Sequence, residues 1–150
     1  AGFTAAVAVG VGVLMGPSQV AIRFLDMVFG RNLHPLTTGA ISSVFLVVAL
    51  AALLASGAGA VGAVVFAILY GLSQGLSSIV RGTIPLVLFG RAGYGARLGR
   101  ISAISVAVKS AAPFVFALLI ENVGPVYAFG AAAGLAAISL AVLRFIPRPA

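Results

Sequence analysis

From Val44 to Leu54 every residue is apolar, and comparable runs recur along almost the whole chain. An apolar segment of about 18 or more residues with few charges reads as a membrane-crossing helix. A membrane-crossing strand would instead alternate apolar and polar residues over about ten positions, and the run at Val44–Leu54 does not alternate. The expected fold is therefore all-α, a polytopic transmembrane helix bundle of about five spans. They are expected at about Thr4–Phe29, Thr38–Ala55, Val61–Phe89, Ile101–Ile120 and Val126–Ile146. At about 1.5 Å per residue each covers a hydrocarbon core of roughly 30 Å, some with tilt. The five make one helical domain over residues 1–150. The chain begins at Ala1 already inside an apolar run, so a fragment of a longer protein is expected.

Only 7% of residues are charged, against about 25% in water-soluble domains. The net charge of +7 would point to nucleic acid if the cations formed one surface interleaved with aromatics. They do not: most fall between the apolar runs, so no nucleic-acid partner is expected and the bilayer is the partner. Arg31, then Arg91, Arg97 and Arg100, then Arg144 and Arg148 lie at alternate ends of the spans, and the opposite ends have no Lys or Arg. Basic short loops stay in the cytoplasm, which predicts an outside N-terminal end and a cytoplasmic C-terminus.

Helical spacing separates polar from apolar spans. Gly12, Gly16, Gln19, Arg23 and Asp26 share one face of the first span. Tyr70, Gln74, Ser77 and Arg81 do so in the third, and Ser102, Ser105 and Lys109 in the fourth. The second span has no polar residue from Val44 to Ala55, and the fifth none but Ser139 between Ala128 and Leu143. Polar groups within a membrane usually face the bundle interior or a watery cavity. The expectation is a central cavity lined by spans one, three and four, with spans two and five at the periphery.

Lys109 lies near the middle of its span and Arg81 in the cytoplasmic half of its own. A charge at the bilayer centre costs at least about 2.5–3.5 kcal/mol, so each needs a use. Each stands four residues before a proline, Pro113 and Pro85, which leaves a backbone carbonyl without its helical partner. Each cation is thus expected at a kink beside such a carbonyl. The plainer use is to tie helices together. Acids are scarce, however: no Asp or Glu occurs between Asp26 and Glu121. Gln74, Arg81 and Lys109 are accordingly the candidate pathway residues, and the unneutralised cations suggest an anionic or polar solute. Arg23 and Asp26, three apart, are expected to pair on their own helix.

Enzyme chemistry is not expected. There is no Cys, one His, and only two acids, on opposite sides of the predicted membrane. No carboxylate pair, metal cluster or nucleophilic triad can be assembled from these, so no metal and no cofactor is expected. Gly57-Ala58-Gly59-Ala60-Val61-Gly62 matches a dinucleotide-binding fingerprint by letter, but that motif needs a strand before it and an acid about 20 residues later. A tight turn between helices explains it. Gly12/Gly16, Gly71/Gly75 and Gly130/Gly134 have the GxxxG spacing of close helix packing. His34, beside Pro35, reads as a solvated loop residue.

Tyr70-Gly71-Leu72-Ser73-Gln74-Gly75, Arg81-Gly82-Thr83-Ile84-Pro85-Leu86 and Phe89-Gly90-Arg91-Ala92-Gly93-Tyr94-Gly95, with the topology above, resemble the C-terminal half of a major facilitator superfamily (MFS) transporter. The resemblance covers essentially all 150 residues, read as the family's eighth to twelfth helices. Asp26 to Arg31 resembles the degenerate second copy of the family's acidic-Gly-Arg loop motif. It departs from it in two ways: Gly30 follows Asp26 by four positions rather than three, and Met27 stands where the motif has a basic residue. The resemblance implies a gating role in a cytoplasmic loop for Arg23, Asp26 and Arg31. It also implies alternating-access transport, with proton coupling, in a bacterial inner membrane, efflux being one direction, and a missing N-terminal half of the same protein. The alternatives from other classes are a non-transporting membrane scaffold or assembly protein and a channel.

Overall fold

The computed structural model describes residues 5–30, 33–56 and 59–145, apart from the side chains of 5–8 and 144. Among these it holds six α-helices: α1 (Ala5–Val13), α2 (Met15–Phe29), α3 (Pro35–Ala55), α4 (Ala60–Phe89), α5 (Tyr94–Val123) and α6 (Pro125–Phe145). There is no strand among the described residues. The chain is an all-α bundle, with five segments long and apolar enough to cross a membrane: Val9–Phe29, Pro35–Ala55, Ala60–Phe89, Tyr94–Val123 and Pro125–Leu143.

The first expected span is two helices. Pro17 has no N–H and its ring crowds the carbonyl four residues back, so the helix is interrupted at Leu14. There the Leu14 N–H bonds Val11 O at 3.2 Å, and the Ser18 hydroxyl donates to Leu14 O at 2.8 Å. Pro85 and Pro113 act differently, since α4 and α5 run on through them. The expected start at Thr4 and end at Ile146 lie outside the described residues.

Two boundaries differ from the sequence expectation. Helix α3 starts at Pro35 rather than Thr38, because Pro suits the first helical turn and His34 caps it: His34 Nδ1 accepts from the Leu36 N–H at 3.2 Å. His34 is thus a half-buried cap and not a solvated loop residue. Helix α5 starts at Tyr94 rather than Ile101, so the expected eleven-residue link shrinks to the turn Gly90–Gly93. Gly90 and Gly93 have φ of +69° and +65°, which glycine adopts without the usual steric cost. Arg97 stabilises the turn: its Nη1 donates to Phe89 O at 2.9 Å, while its guanidinium lies 5.6 Å from the Phe89 ring centroid. The Tyr94 hydroxyl donates back to Gly82 O at 2.9 Å.

Packing centres on α4, which touches α1, α2, α3 and α5, while α3 lies between α4 and α6, its more extensive contact being with α4. Leu36, Thr38, Gly39, Ser42, Ala49, Leu50 and Leu53 of α3 are buried, whereas α5 buries none of its residues. This reverses the expected placing of the second span at the periphery. Apolar and small side chains interlock without a desolvation cost, so a span lacking a polar stripe can pack between two others. Helix α5 leans mainly on α6, where Phe116 and Phe129 meet edge to face at 5.3 Å.

One of the three GxxxG pairs makes a helix contact. A Cβ at Gly71 would stand 2.7 Å from Met15 O and 2.8 Å from Ser18 Cβ, and one at Gly75 would collide with Ile22. Gly12, Gly16, Gly130 and Gly134 have nothing within 4 Å of such a Cβ. Gly62, from the fingerprint-like stretch, is pressed against Ser56 and Ala52 of the preceding α3. A helix therefore precedes the stretch where the nucleotide motif needs a strand; Gly57 and Ala58 lie outside the described residues.

Candidate functional site

Helix α4 presents three faces, and they explain where its polar residues go. Gly71 and Gly75 face α2. Ser73 and Ser77 face α3, where Ser42 Oγ donates to Ser73 O at 2.9 Å and lies 2.7 Å from Ser77 Oγ. Between these faces, at steps of four and seven, stand Tyr70, Gln74 and Arg81. The stripe expected from the sequence is thus divided, Ser77 being turned to a helix contact.

Gln74 is half-buried and held in place. Its Nε2 donates to the Tyr70 hydroxyl at 2.8 Å, and Tyr70 stacks on Phe66 with ring centroids 5.4 Å apart. Phe66, Tyr70 and Gln74 follow at intervals of four, so one helix face carries an aromatic stack ending in an amide. The Gln74 carbonyl oxygen is left to accept from another group.

Arg81 is exposed and makes no hydrogen bond or ion pair among the described residues. The expected meeting of Arg81 with a carbonyl freed by Pro85 does not occur: the hydroxyl that reaches this turn is Tyr94's, and it bonds the neighbouring Gly82 O. Lys109 is also exposed and likewise makes no hydrogen bond or ion pair among the described residues, including to any carbonyl near Pro113. It lies at the middle of the 30-residue α5. Next to it, Val108 turns into an apolar groove of about 370 Å³ between α5 and α6, whose walls include Val115, Phe116, Leu119, Ala128 and Leu135. Lys109 is not in that wall. No hydrogen bond joins Gln74, Arg81 and Lys109 to one another among the described residues, and they remain three separate positions on α4 and α5.

Of the proposed gating residues, Arg31 lies outside the described residues. Arg23 is exposed and Asp26 half-buried. The expected Arg23–Asp26 ion pair does not form within 4.0 Å. Asp26 instead borders a small apolar groove of about 190 Å³ between α2, α3 and α4, with Ile22, Phe29, Thr38, Phe45 and Leu76 among its walls. Its main-chain carbonyl accepts from the Gly30 N–H at the end of α2. Among the described residues no three His, Cys, Asp or Glu side chains gather into a metal-binding group.

Sequence reasoning missed Ser42. The signal was present in the pairs Ser42/Ser43 and Ser73/Ser77 on consecutive spans, since hydroxyls in lipid seek partners across helices.

No protein-family model matches the chain. Neither the curated proteins nor the solved structures give a match.

Proposed function

We propose that this chain is part of a secondary transporter of the MFS type, moving a small anionic or polar solute by alternating access. The reading includes proton coupling, residence in a bacterial inner membrane and a cytoplasmic C-terminus. The observation that carries it is Lys109: a full charge at the centre of an apolar helix, exposed and unpaired among the described residues. Intramembrane charges face a bundle interior or a watery cavity by default, and neither α4 nor α6 covers this one. The stripe of half-buried Ser102 and Ser105 and exposed Lys109 on α5, and the exposed Arg23 side of α2, are the surfaces that a second half would close over. A midplane site between two halves is the working geometry of such carriers.

The test uses the full native product in proteoliposomes under an imposed proton gradient, with a panel of labelled organic anions and neutral polar solutes. Wild type should accumulate a solute uphill and saturably, which neither a scaffold nor a channel does. Lys109→Ala should insert normally and lose that uptake. Wild-type uptake by inserted Lys109→Ala overturns the assignment of this residue.

A further inference from the structure

The lengths of the helices place three arginines at one end of the bundle. Helices α3 and α6 have 21 residues each, α4 and α5 have 30 each. Helix α3 joins α4 at the Ser56–Gly59 end, where Gly59 N–H bonds Ser56 O at 3.1 Å. Helix α5 joins α6 at Gly124, whose φ is +88°. Both joints lie at the same end of the bundle, so the surplus of α4 and α5 must emerge at the other. The Ser42 contacts with Ser73 and Ser77 fix the α3–α4 register independently. Gly39, one turn into α3, lies against Val80 and Ile84, so Pro35 is level with about Ile84, and the next residue of α4, Pro85, is still buried. The hairpin from Leu86 to Ser102 therefore runs on beyond α3 by on the order of 6 Å of helix.

That projecting tip carries Arg91, Arg97 and Arg100, all exposed, and no acid. It also carries exposed apolar side chains: Leu86 at 39%, Val87 at 41% and Phe89 at 54% exposure. A tip meant for water would not show those apolar side chains, and one meant for hydrocarbon would not show three guanidinium groups. The combination fits the boundary between acyl chains and headgroups, where apolar groups sink and long basic side chains reach outward. The guanidinium is a planar fork that matches phosphate oxygens in pairs. Arg97 is already oriented by its bond to Phe89 O and its contact with the Phe89 ring.

We propose that the α4–α5 hairpin tip binds the phosphates of anionic phospholipids, with Arg91, Arg97 and Arg100 as the phosphate ligands and Leu86, Val87 and Phe89 seated among the adjoining acyl chains. This goes beyond the transport reading and does not depend on it, since its readout is lipid binding.

The experiment titrates the full native product in detergent with dioleoylphosphatidylglycerol and dioleoylphosphatidylcholine and measures bound lipid by native mass spectrometry. Arg91→Gln/Arg100→Gln is the variant of choice, because neither residue makes a hydrogen bond among the described residues and the Arg97 cap is kept. Wild type should prefer the anionic lipid, and the glutamine pair should lose about 5- to 25-fold of that preference, about fivefold per basic residue. Arg91→Lys/Arg100→Lys should keep most of it. Equal preference in wild type and the glutamine pair overturns the proposal, as does equal loss in the lysine and glutamine pairs.

Discussion

Gly75 of α4 lies against the backbone of Gln19 of α2, where an added Cβ would stand 2.9 Å from the Gln19 carbonyl oxygen and inside the Ile22 side chain. Backbone is the atom set that cannot give way. Small residues at such a spacing are what let two helices approach when no hydrophobic force separates helix from lipid.

Gly75→Ala should therefore loosen α2 from α4 by about 1–3 kcal/mol, the usual cost of overpacking a fitted contact. Gly71→Ala should act in the same direction. Gly134→Ala, with open space at its Cβ, is the control within the bundle and should be close to neutral. Equilibrium unfolding in mixed micelles measures all three.

Ser42 links the two most closely packed helices through Ser73 and Ser77. Ser42→Ala should cost about 0.6 kcal/mol, with a ceiling near about 1.7, as interhelical bonds in membranes do. The Ser77 hydroxyl can turn back to the Ser73 carbonyl on its own helix, which keeps the loss small. A double-mutant cycle with Ser77→Ala should show a coupling of the same sign and size, and additive single effects would mean that the 2.7 Å contact is not a bond of consequence.

Tyr94→Phe removes only the hydroxyl that reaches Gly82 O. A loss of about 0.5–1.5 kcal/mol is expected, confined to the Gly90–Gly93 turn. Limited proteolysis at Arg91 and Arg97 should quicken in this variant while global unfolding shifts little.

His34 caps α3 through a ring nitrogen. His34→Ala should destabilise the bundle by about 0.5–2 kcal/mol, and His34→Asp or His34→Ser, whose oxygens can accept from the same turn, should restore most of it. Thermal unfolding of the three variants under one detergent condition decides this; equal stability of Ala and Ser would remove the capping role.

Much of this architecture is legible in the amino-acid order. The all-α class and the number of spans follow from run length and the scarcity of charge, because backbone in lipid must satisfy its own hydrogen bonds. The turn at Ser56–Gly59 and the end of α4 at Phe89 were readable from glycine. The start of α5 was not, since Gly95, Arg97, Gly99 and Arg100 look like loop until Arg97 is seen to bond Phe89 O across the turn.

The candidate site was legible only as positions. Helical periodicity placed Gln74, Arg81 and Lys109 on polar stripes, but it assigns a stripe to a helix and not to a neighbour. Ser77 shared the stripe of Gln74 in sequence and was claimed by α3 in space.

Sequence alone determined that this chain must form long apolar helices with most of its arginines near their ends, because placing charge and unpaired backbone in hydrocarbon is costly. Tertiary structure alone decided that α4 is the hub, that Gly71 and Gly75 are the GxxxG pair against which another helix closes, and that α4 and α5 outrun their neighbours. Those outcomes depend on which of many similar small and apolar faces fit together. Contact between such faces is governed by shape at the scale of a single methyl group, which composition and periodicity do not encode.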